Sequence, residues 1–237
     1  MFRHRGKNRT FRHNIRLAVM LSLVAGLVNI VGVLALNVLT TNVTGHFAFF
    51  AERFFLADYA FAFTFLLYIL CFLLGAFTSN FLVEVANMRK PLLAHAAPML
   101  IEVTILALCG IFMATGSASN TFAYLLLFAM GLQNALVTRV SQSTVRTTHL
   151  TGLFTDLGIE LSQLFFYTKQ VERQRLGKSI GLKLAIISSF FAGGLAGGFL
   201  YQFFAAQALL FAAAILLAAL FYDNMRYKYY TLQRKSN

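Results

Sequence analysis

Charged residues are scarce in this chain, and their scarcity excludes an ordinary soluble domain. Asp, Glu, Lys and Arg make up 12% of its 237 residues, whereas apolar residues make up 59%. Soluble domains carry about twice that share of charge. The runs 17–51, 59–83, 103–138 and 184–222 contain none of these four residue types. Because roughly 20 apolar helical residues cross a bilayer core of about 30 Å, these runs predict an all-helical integral membrane protein whose surroundings are the lipid bilayer.

Cysteines and catalytic motifs are also few. The chain has two cysteines, Cys71 and Cys109, and each lies inside an apolar run. This placement excludes a spaced disulfide or metal framework, and we interpret both as apolar packing residues. No P-loop, no HExxH and no nucleophile–base arrangement is present. We therefore expect neither an enzyme nor a cofactor.

Acidic residues are outnumbered by basic ones, 8 to 20, which gives a net charge of +12. A strongly basic chain suggests nucleic-acid binding, but the basic residues here lie in short segments between apolar runs. At such places they face lipid headgroups and set the membrane topology. Since no basic folded domain is present, we expect no nucleic-acid partner.

The apolar segments predict six membrane spans. They cover residues 17–38, 60–83, 92–114, 121–139, 180–202 and 205–223. The first is too long for the apolar part of a signal peptide and is interpreted as an uncleaved span. With both termini in the cytoplasm, every basic residue except Arg53 falls on the cytoplasmic side, as the positive-inside rule requires. We therefore expect a multi-pass protein of the inner (plasma) membrane.

One five-residue pattern, T-x-x-T-G, occurs at matching places in the two halves, at residues 41–45 and 148–152. Each copy is preceded by a glycine followed three residues later by an asparagine, Gly26 with Asn29 and Gly131 with Asn134. Each copy is also followed by a phenylalanine two positions past its last glycine. A further stretch, residues 72–82, aligns without gaps on residues 190–200.

These pairs divide the chain into two membrane repeats, residues 17–114 and 115–223, between a basic segment 1–16 and a basic tail 224–237. Each repeat holds three predicted spans, and an odd number inserts the second repeat upside down relative to the first. Such an inverted 3+3 repeat is typical of secondary transporters, whose binding sites lie near the bilayer midplane at broken helices.

Short apolar segments, residues 46–57 and 153–167, follow the two T-x-x-T-G breaks. About eight extended residues reach some 25 Å, and a helix of about 12 residues rises some 18 Å, so each break can begin a re-entrant half-helix. Thr44 and Thr151 lie where the N-caps would be. Two interpretations stay open. The threonines only cap two short helices, or both helix N-termini face the midplane and bind an anion or a carboxylate-bearing solute.

Several polar residues accompany the breaks. Asn29 and Asn134 occupy equivalent positions, with Gln133 beside the second, and they either form interhelical hydrogen bonds or line a pathway. His46 and His149 flank the glycines of the breaks at positions that are not equivalent. Too few ligands converge there for a metal, so we interpret the histidines as polar lining residues.

Carboxylates inside the apolar segments are the remaining candidates. Glu102 lies within the third span, where a charge costs on the order of 3 kcal/mol. It has either a function or a neutral or paired structural role. Asp156 and Glu160 share one face of the second half-helix. They either pair with Arg139 or Arg146, or attract a cation.

The fifth span has a face of small residues. Gly193 and Gly197, together with Gly194 and Gly198, recur at four-residue spacing. This spacing predicts close helix packing, either within the chain or between copies in a homo-oligomer.

The two glycine–asparagine elements and the two T-x-x-T-G segments together resemble the YoaK family over nearly the whole chain. The resemblance implies a small bacterial membrane protein with about six spans, in a family whose function is largely unassigned. In that family an acidic residue commonly stands where this chain has Asn29, and asparagine commonly stands where it has His46.

The sequence thus favours a transporter of a small solute, anionic or carboxylate-bearing, through a midplane site at the two breaks. A non-transporting membrane scaffold or accessory subunit is the alternative. The candidate solute-binding residues are Asn29, Thr41, Thr44, Gly45, His46, Glu102, Gln133, Asn134, Thr148, Thr151, Gly152 and Asp156.

Overall fold

The computed structural model describes residues 11–89, 94–113, 119–141, 145 and 147–236. Every regular element in these ranges is a helix, which confirms the all-α prediction. The helices are α1 (Phe11–Leu36), α2 (Val43–Phe55), α3 (Tyr59–Arg89), α4 (Ala96–Phe112), α5 (Asn120–Val140), α6 (Leu150–Gln163), α7 (Gln170–Phe204) and α8 (Ala208–Ser236), with a 3-10 turn (Ala205–Gln207) between the last two. The first ten residues of the predicted basic segment and the predicted repeat boundary at 114–115 lie outside the described residues.

Four stretches of helix are long and apolar enough to cross a membrane. They are Asn14–Leu36, Tyr59–Met88, Asn120–Val140 and Gln170–Asp223. The last combines two of the six predicted spans, because α7 and α8 are joined by only the 3-10 turn. The third predicted span corresponds to α4, whose 17 residues rise about 26 Å. These helices support the membrane class predicted from the sequence.

Two short helices follow the two breaks, as predicted. The first, α2, has 13 residues, and the second, α6, has 14 residues. Each starts three residues before the predicted segment, because the helix already includes the second threonine and the glycine of its T-x-x-T-G pattern. At about 20 Å, both are shorter than the bilayer core.

The helices α1 and α7 run parallel in close contact. A Cβ on Gly26 would overlap the carbonyl oxygen of Phe190, and a Cβ on Gly193 would overlap the carbonyl oxygen of Leu23. Further along both helices, the Tyr201 hydroxyl donates to the carbonyl of Leu34 at 3.3 Å. Backbones can approach this closely only where a glycine lacks the Cβ.

The helices α3 and α5 repeat this arrangement. A Cβ on Gly131 would overlap the carbonyl oxygen of Phe72, and a Cβ on Gly75 would overlap that of Phe128. These contacts join the same aligned positions as those between α1 and α7, with the two halves exchanged. A salt bridge between Arg139 and Glu84 follows further along the pair, so α3 and α5 are parallel as well.

The remaining long pair, α4 and α8, is antiparallel. His95, just before α4, contacts Asp223 of α8 at 3.4 Å, and both side chains are buried. At the other end of α4, a Cβ on Gly110 would lie 3.1 Å from the side chain of Leu210. Buried apolar residues of α1, α4, α5 and α8 belong to one core cluster.

The glycine face of α7 is used within the chain. Gly193 packs on the backbone of α1, and a Cβ on Gly197 would lie 2.7 Å from the side chain of Ile30. Two of the four glycines that were predicted to pack within the chain or between copies, Gly193 and Gly197, are therefore covered by α1. A Cβ on Gly194 or on Gly198 would meet nothing closer than 3.8 Å.

Candidate functional site

The first break folds back along α1. Residues 37–42 are not helical, and Asn37 has a positive φ of 56°. The backbone N–H of Thr41 donates to Asn29 Oδ1 at 3.2 Å, and its hydroxyl donates to the same oxygen at 3.0 Å. Asn29 lies seven residues before the end of α1, which corresponds to about 10 Å along the helix. The break therefore brings the start of α2 about 10 Å back along α1 from the end of that helix.

The N-cap of α2 is Asn42, not Thr44. Asn42 Oδ1 accepts the N–H of Gly45 at 3.0 Å. The prediction that Thr44 caps this helix was wrong, because the helix begins at Val43 and places Thr44 in its first turn. Thr44 is exposed and its hydroxyl has no hydrogen-bond partner within the described ranges. A Cβ on Gly45 would lie 2.9 Å from Asn42 Nδ2, which explains the glycine at this position.

At the second break, too, the N-cap side chain lies over the glycine of the pattern, but the N-cap residue is different. The N-cap of α6 is His149, so Thr151 is likewise not the cap. The His149 ring covers Gly152, where a Cβ would overlap Nε2. This ring makes no capping hydrogen bond, so the first N–H groups of α6 lack a side-chain cap. The glycine that ends T-x-x-T-G is thus needed beneath the N-cap side chain in both repeats.

His46 is buried in an aromatic cluster between α2 and α3. Its Nε2 lies 2.8 Å from the carbonyl oxygen of Leu39, and its ring lies 6.0 Å from Phe65 and 5.2 Å from Tyr68. Tyr68 lies nine residues into α3, or about 14 Å along it. The start of α2 therefore lies beside a level of α3 that is about 14 Å from the start of that helix. The sequence predicted a polar lining residue here, and the structure gives it aromatic neighbours.

The equivalent asparagines differ in their bonding. Asn29 Oδ1 accepts both donors of Thr41, whereas Asn134 Oδ1 is buried without a hydrogen-bond partner in the described part of the chain. Thr148, which corresponds to Thr41, is half-buried. Beside Asn134, the Gln133 amide donates to the carbonyl of Leu21 at 2.9 Å. The two halves thus share positions but not the asparagine–threonine bond.

Thr40 and Thr147 also belong to the breaks, although neither was predicted as a site residue. Both are fully buried, and neither hydroxyl has a hydrogen-bond partner among the described residues. They occupy equivalent positions, because the shared pattern extends one residue further and reads T-T-x-x-T-G. That extra match is the signal that identifies them.

The carboxylates are placed differently from one another. Glu102 is buried on α4, and neither of its oxygens has a partner among the described residues. Asp156 is exposed on α6. Glu160 Oε1 accepts from Lys183 Nζ at 2.7 Å and from the Ser179 hydroxyl at 2.7 Å.

The predicted pairing of Glu160 with Arg139 was therefore wrong. Arg139 pairs with Glu84 on the neighbouring helix instead, and Arg146 lies outside the described residues. The true partner, Lys183, is the last charged residue before the apolar run 184–222. A lysine at that boundary is the signal that could have identified the pair.

The structure brings some of the predicted site residues together and leaves others apart. Thr41 contacts Asn29, and the N-cap residues of the two half-helices contact their glycines. The half-helix α2 packs on α3, and α6 packs on α7, so each break belongs to its own helix pair. In the described ranges, no group of three or more His, Cys, Asp and Glu residues is placed to hold a metal ion.

The fold and the paired breaks define the class of this protein. It is an all-helical protein with four helical stretches long and apolar enough to cross a membrane. The chain belongs to the family described as protein of unknown function (DUF1275), whose model matches residues 17–222. The resemblance to the YoaK family is consistent with this membership. No curated protein and no solved structure matches the chain.

Proposed function

We propose that this protein is a transporter of a small anionic or carboxylate-bearing solute, with its site at the two T-x-x-T-G breaks. The proposal includes six membrane spans, an inverted 3+3 repeat and both termini in the cytoplasm of a bacterial inner membrane. The observation that carries it is the pair of breaks at equivalent positions, each of which begins a short helix. Broken helices at matching places in two halves are the usual sign of a transport site.

The reciprocal helix contacts support the repeat. Gly26 meets the Phe190 carbonyl in one pair, and Gly131 meets the Phe72 carbonyl in the other. In both pairs a helix of one half packs in parallel against a helix of the other half. A pseudo-two-fold axis that exchanges the halves produces this pattern.

The chemistry of the breaks supports an anionic group on the solute. A helix N-terminus offers unpaired N–H donors and about half a positive charge. The start of α6 has no side-chain cap, and the hydroxyls of Thr44 and Thr151 are free of capping bonds. The buried hydroxyls of Thr40 and Thr147 add two donors without partners in the described ranges.

The unequal asparagines support alternating access. At the first break the bond between Asn29 and Thr41 holds the segment against α1. At the second break Asn134 Oδ1 has no partner within the described part of the chain. In a carrier that opens one side at a time, the two halves are in different arrangements.

The alternative, a non-transporting scaffold or accessory subunit, is favoured by one observation. Phe65 and Tyr68 cover His46 beside the first break. A break closed by aromatic side chains is also suited to a purely structural role.

A thermal-shift screen of the purified chain against chloride, sulfate, acetate, lactate and choline tests the proposal. We expect the anions to raise the melting temperature, since a bound ligand stabilises the folded state, and choline to leave it unchanged. Thr44→Val and Thr151→Val should each weaken the binding of the best anion about fivefold, because one hydrogen bond of about 1 kcal/mol is lost.

The double variant decides whether the two breaks share one solute. Non-additive losses are expected if both hydroxyls contact the same ligand. Additive losses would instead indicate two separate sites, and no anion-dependent shift in any variant would favour the scaffold.

A further inference from the structure

Glu102 is a carboxyl group in the helical core that no described residue stabilises. Its exposed fraction is 1%, and neither of its oxygens has a hydrogen-bond partner among the described residues. It shares the buried face of α4 with Met99 and Leu106. An ionised carboxylate is costly at such a place. A single bound proton removes the charge and converts one oxygen into a hydrogen-bond donor.

Gln133 of α5 has a side-chain oxygen that receives no hydrogen bond from the described residues. Its Nε2 donates to the carbonyl of Leu21 at 2.9 Å, and this bond fixes the orientation of the amide. Its Oε1 is buried and has no donor within the described ranges. A protonated Glu102 thus lacks a hydrogen-bond acceptor, and Gln133 Oε1 lacks a hydrogen-bond donor, among the described residues.

The two groups lie at similar distances from the helix ends on one side of the protein. Glu102 is six residues from the start of α4, and Gln133 is seven residues from the end of α5. Leu21, which Gln133 contacts, is seven residues from the start of the first apolar stretch. Each separation corresponds to about 10 Å along its helix. Because α4 and α5 are consecutive helices that pack together, the start of α4 and the end of α5 lie on the same side.

Glu102 lies on the buried face of α4, at an angle to the residue of that helix that contacts α8. Gly110 contacts Leu210 of α8, and Glu102 lies about 80° around the helix axis from Gly110. On α5, Gln133 lies on the same stripe as Met130 and Leu126. That stripe belongs to the core cluster which also contains residues of α4 and α1.

Few other charged groups are near. On the helices packed against α4, the charged residues whose side chains the structure describes are Glu84 of α3, Arg139 of α5 and Asp223 of α8. Glu84 and Arg139 are exposed and pair with each other. Asp223 contacts His95, which lies seven residues before Glu102, or about 10 Å away along α4.

We propose that Glu102 and Gln133 form a proton-binding site, in which protonated Glu102 donates to Gln133 Oε1, and that this site couples proton movement to solute movement. The coupling rests on the proposed transport function, whereas the proton site does not. Neither residue belongs to a break, and the site adds the coupling ion to the proposed mechanism.

Infrared spectroscopy of the full chain in liposomes tests the proton site, because the C=O stretch of a protonated carboxyl is separate from the carboxylate bands. We expect this band at neutral pH in the wild type and its loss in Glu102→Gln. Glu84→Gln is the matched control, since that carboxylate is exposed and paired, and should keep the band. Gln133→Leu removes the acceptor and should shift the band without abolishing it, which tests the pairing even if Glu102→Gln does not fold.

Absence of the band in the wild type, or its persistence in Glu102→Gln, would overturn the proton site. A band that sodium chloride removes at constant pH would also overturn it and assign the carboxylate to a metal cation.

Uptake of labelled chloride, sulfate, acetate and lactate into the same liposomes, with a pH dye inside, tests the coupling. We expect uptake of at least one anion to move protons in the wild type and in Glu84→Gln. Glu102→Gln should lose at least tenfold of the proton movement. If uptake persists with unchanged proton movement, coupling through Glu102 is wrong and the transport function stands. If no anion crosses in any variant but the infrared band is present, the coupling and the transport function fail and the proton site stands.

Discussion

Gly26 of α1 and Phe190 of α7 lie so close that a Cβ on the glycine would overlap the phenylalanine carbonyl oxygen. The same contact recurs between Gly131 and Phe72, which are the equivalent residues of the other halves. The two helix pairs of this protein are therefore held by the same close backbone approach.

These glycines should be intolerant of a single methyl group. Gly26→Ala and Gly131→Ala each force two backbones apart, so we expect a loss of about 1–3 kcal/mol in stability, as for other overpacked positions. Melting temperatures in detergent measure the effect. The matched control is Gly158→Ala in α6, since a Cβ there meets nothing within 4 Å. It should be neutral or stabilise by up to about 1 kcal/mol. Equal effects at all three positions would contradict the close-packing explanation.

The asparagines of the two breaks should respond unequally to truncation. Asn29→Ala removes both hydrogen bonds to Thr41 and leaves the N–H of Thr41 unpaired. We therefore expect a loss of about 1–3 kcal/mol in the free energy of unfolding. Asn134→Ala breaks no hydrogen bond to a described residue and should lose less than about 1 kcal/mol. Thermal unfolding of both variants measures the difference. Similar losses would show that the Asn29–Thr41 bond contributes little.

The buried threonines should separate stability from solute binding. Their hydroxyls have no partner among the described residues, and such a group costs about 1–3 kcal/mol. Thr40→Val and Thr147→Val should therefore keep or raise the melting temperature while they weaken anion binding. Thr104→Val is the control, because that threonine is exposed and bonded to the Leu100 carbonyl on the outer face of α4. Unchanged anion binding in all three variants would exclude Thr40 and Thr147 from the site.

Cysteine labelling from the two membrane sides tests the topology. In a background without Cys71 and Cys109, we expect Glu52→Cys and Ser119→Cys to react from outside. Gln174→Cys should react from the cytoplasm, since both half-helices return to the side they entered from. All of these positions are exposed. Reaction of Glu52→Cys and Ser119→Cys from the cytoplasm would mean that α2 spans the membrane, and the side from which Gln174→Cys reacts would then show whether α6 spans it as well. The predicted outer loop 115–120 is reached only at its end, because residues 114–118 lie outside the described ranges.

The helical class and the paired breaks could be predicted from the sequence. Long charge-free runs are unfavourable in water, so composition alone predicted apolar helices such as α3 and α7. The repeated T-x-x-T-G also predicted the two short helices, because a polar pattern inside an apolar chain interrupts a span. The N-caps were assigned wrongly, since Asn42 and the threonine two residues later are both good cap formers and only the backbone path selects one.

Which side chains meet was decided by the tertiary structure. Lys183 and Arg139 were equally plausible partners for Glu160 by charge, but α6 packs on α7, so Lys183 is the one within reach. Likewise, the equivalent Asn29 and Asn134 have the same local sequence signal, yet only Asn29 meets a threonine. Local sequence determines where a chain is helical and apolar, whereas a contact between distant residues depends on how the helices pack.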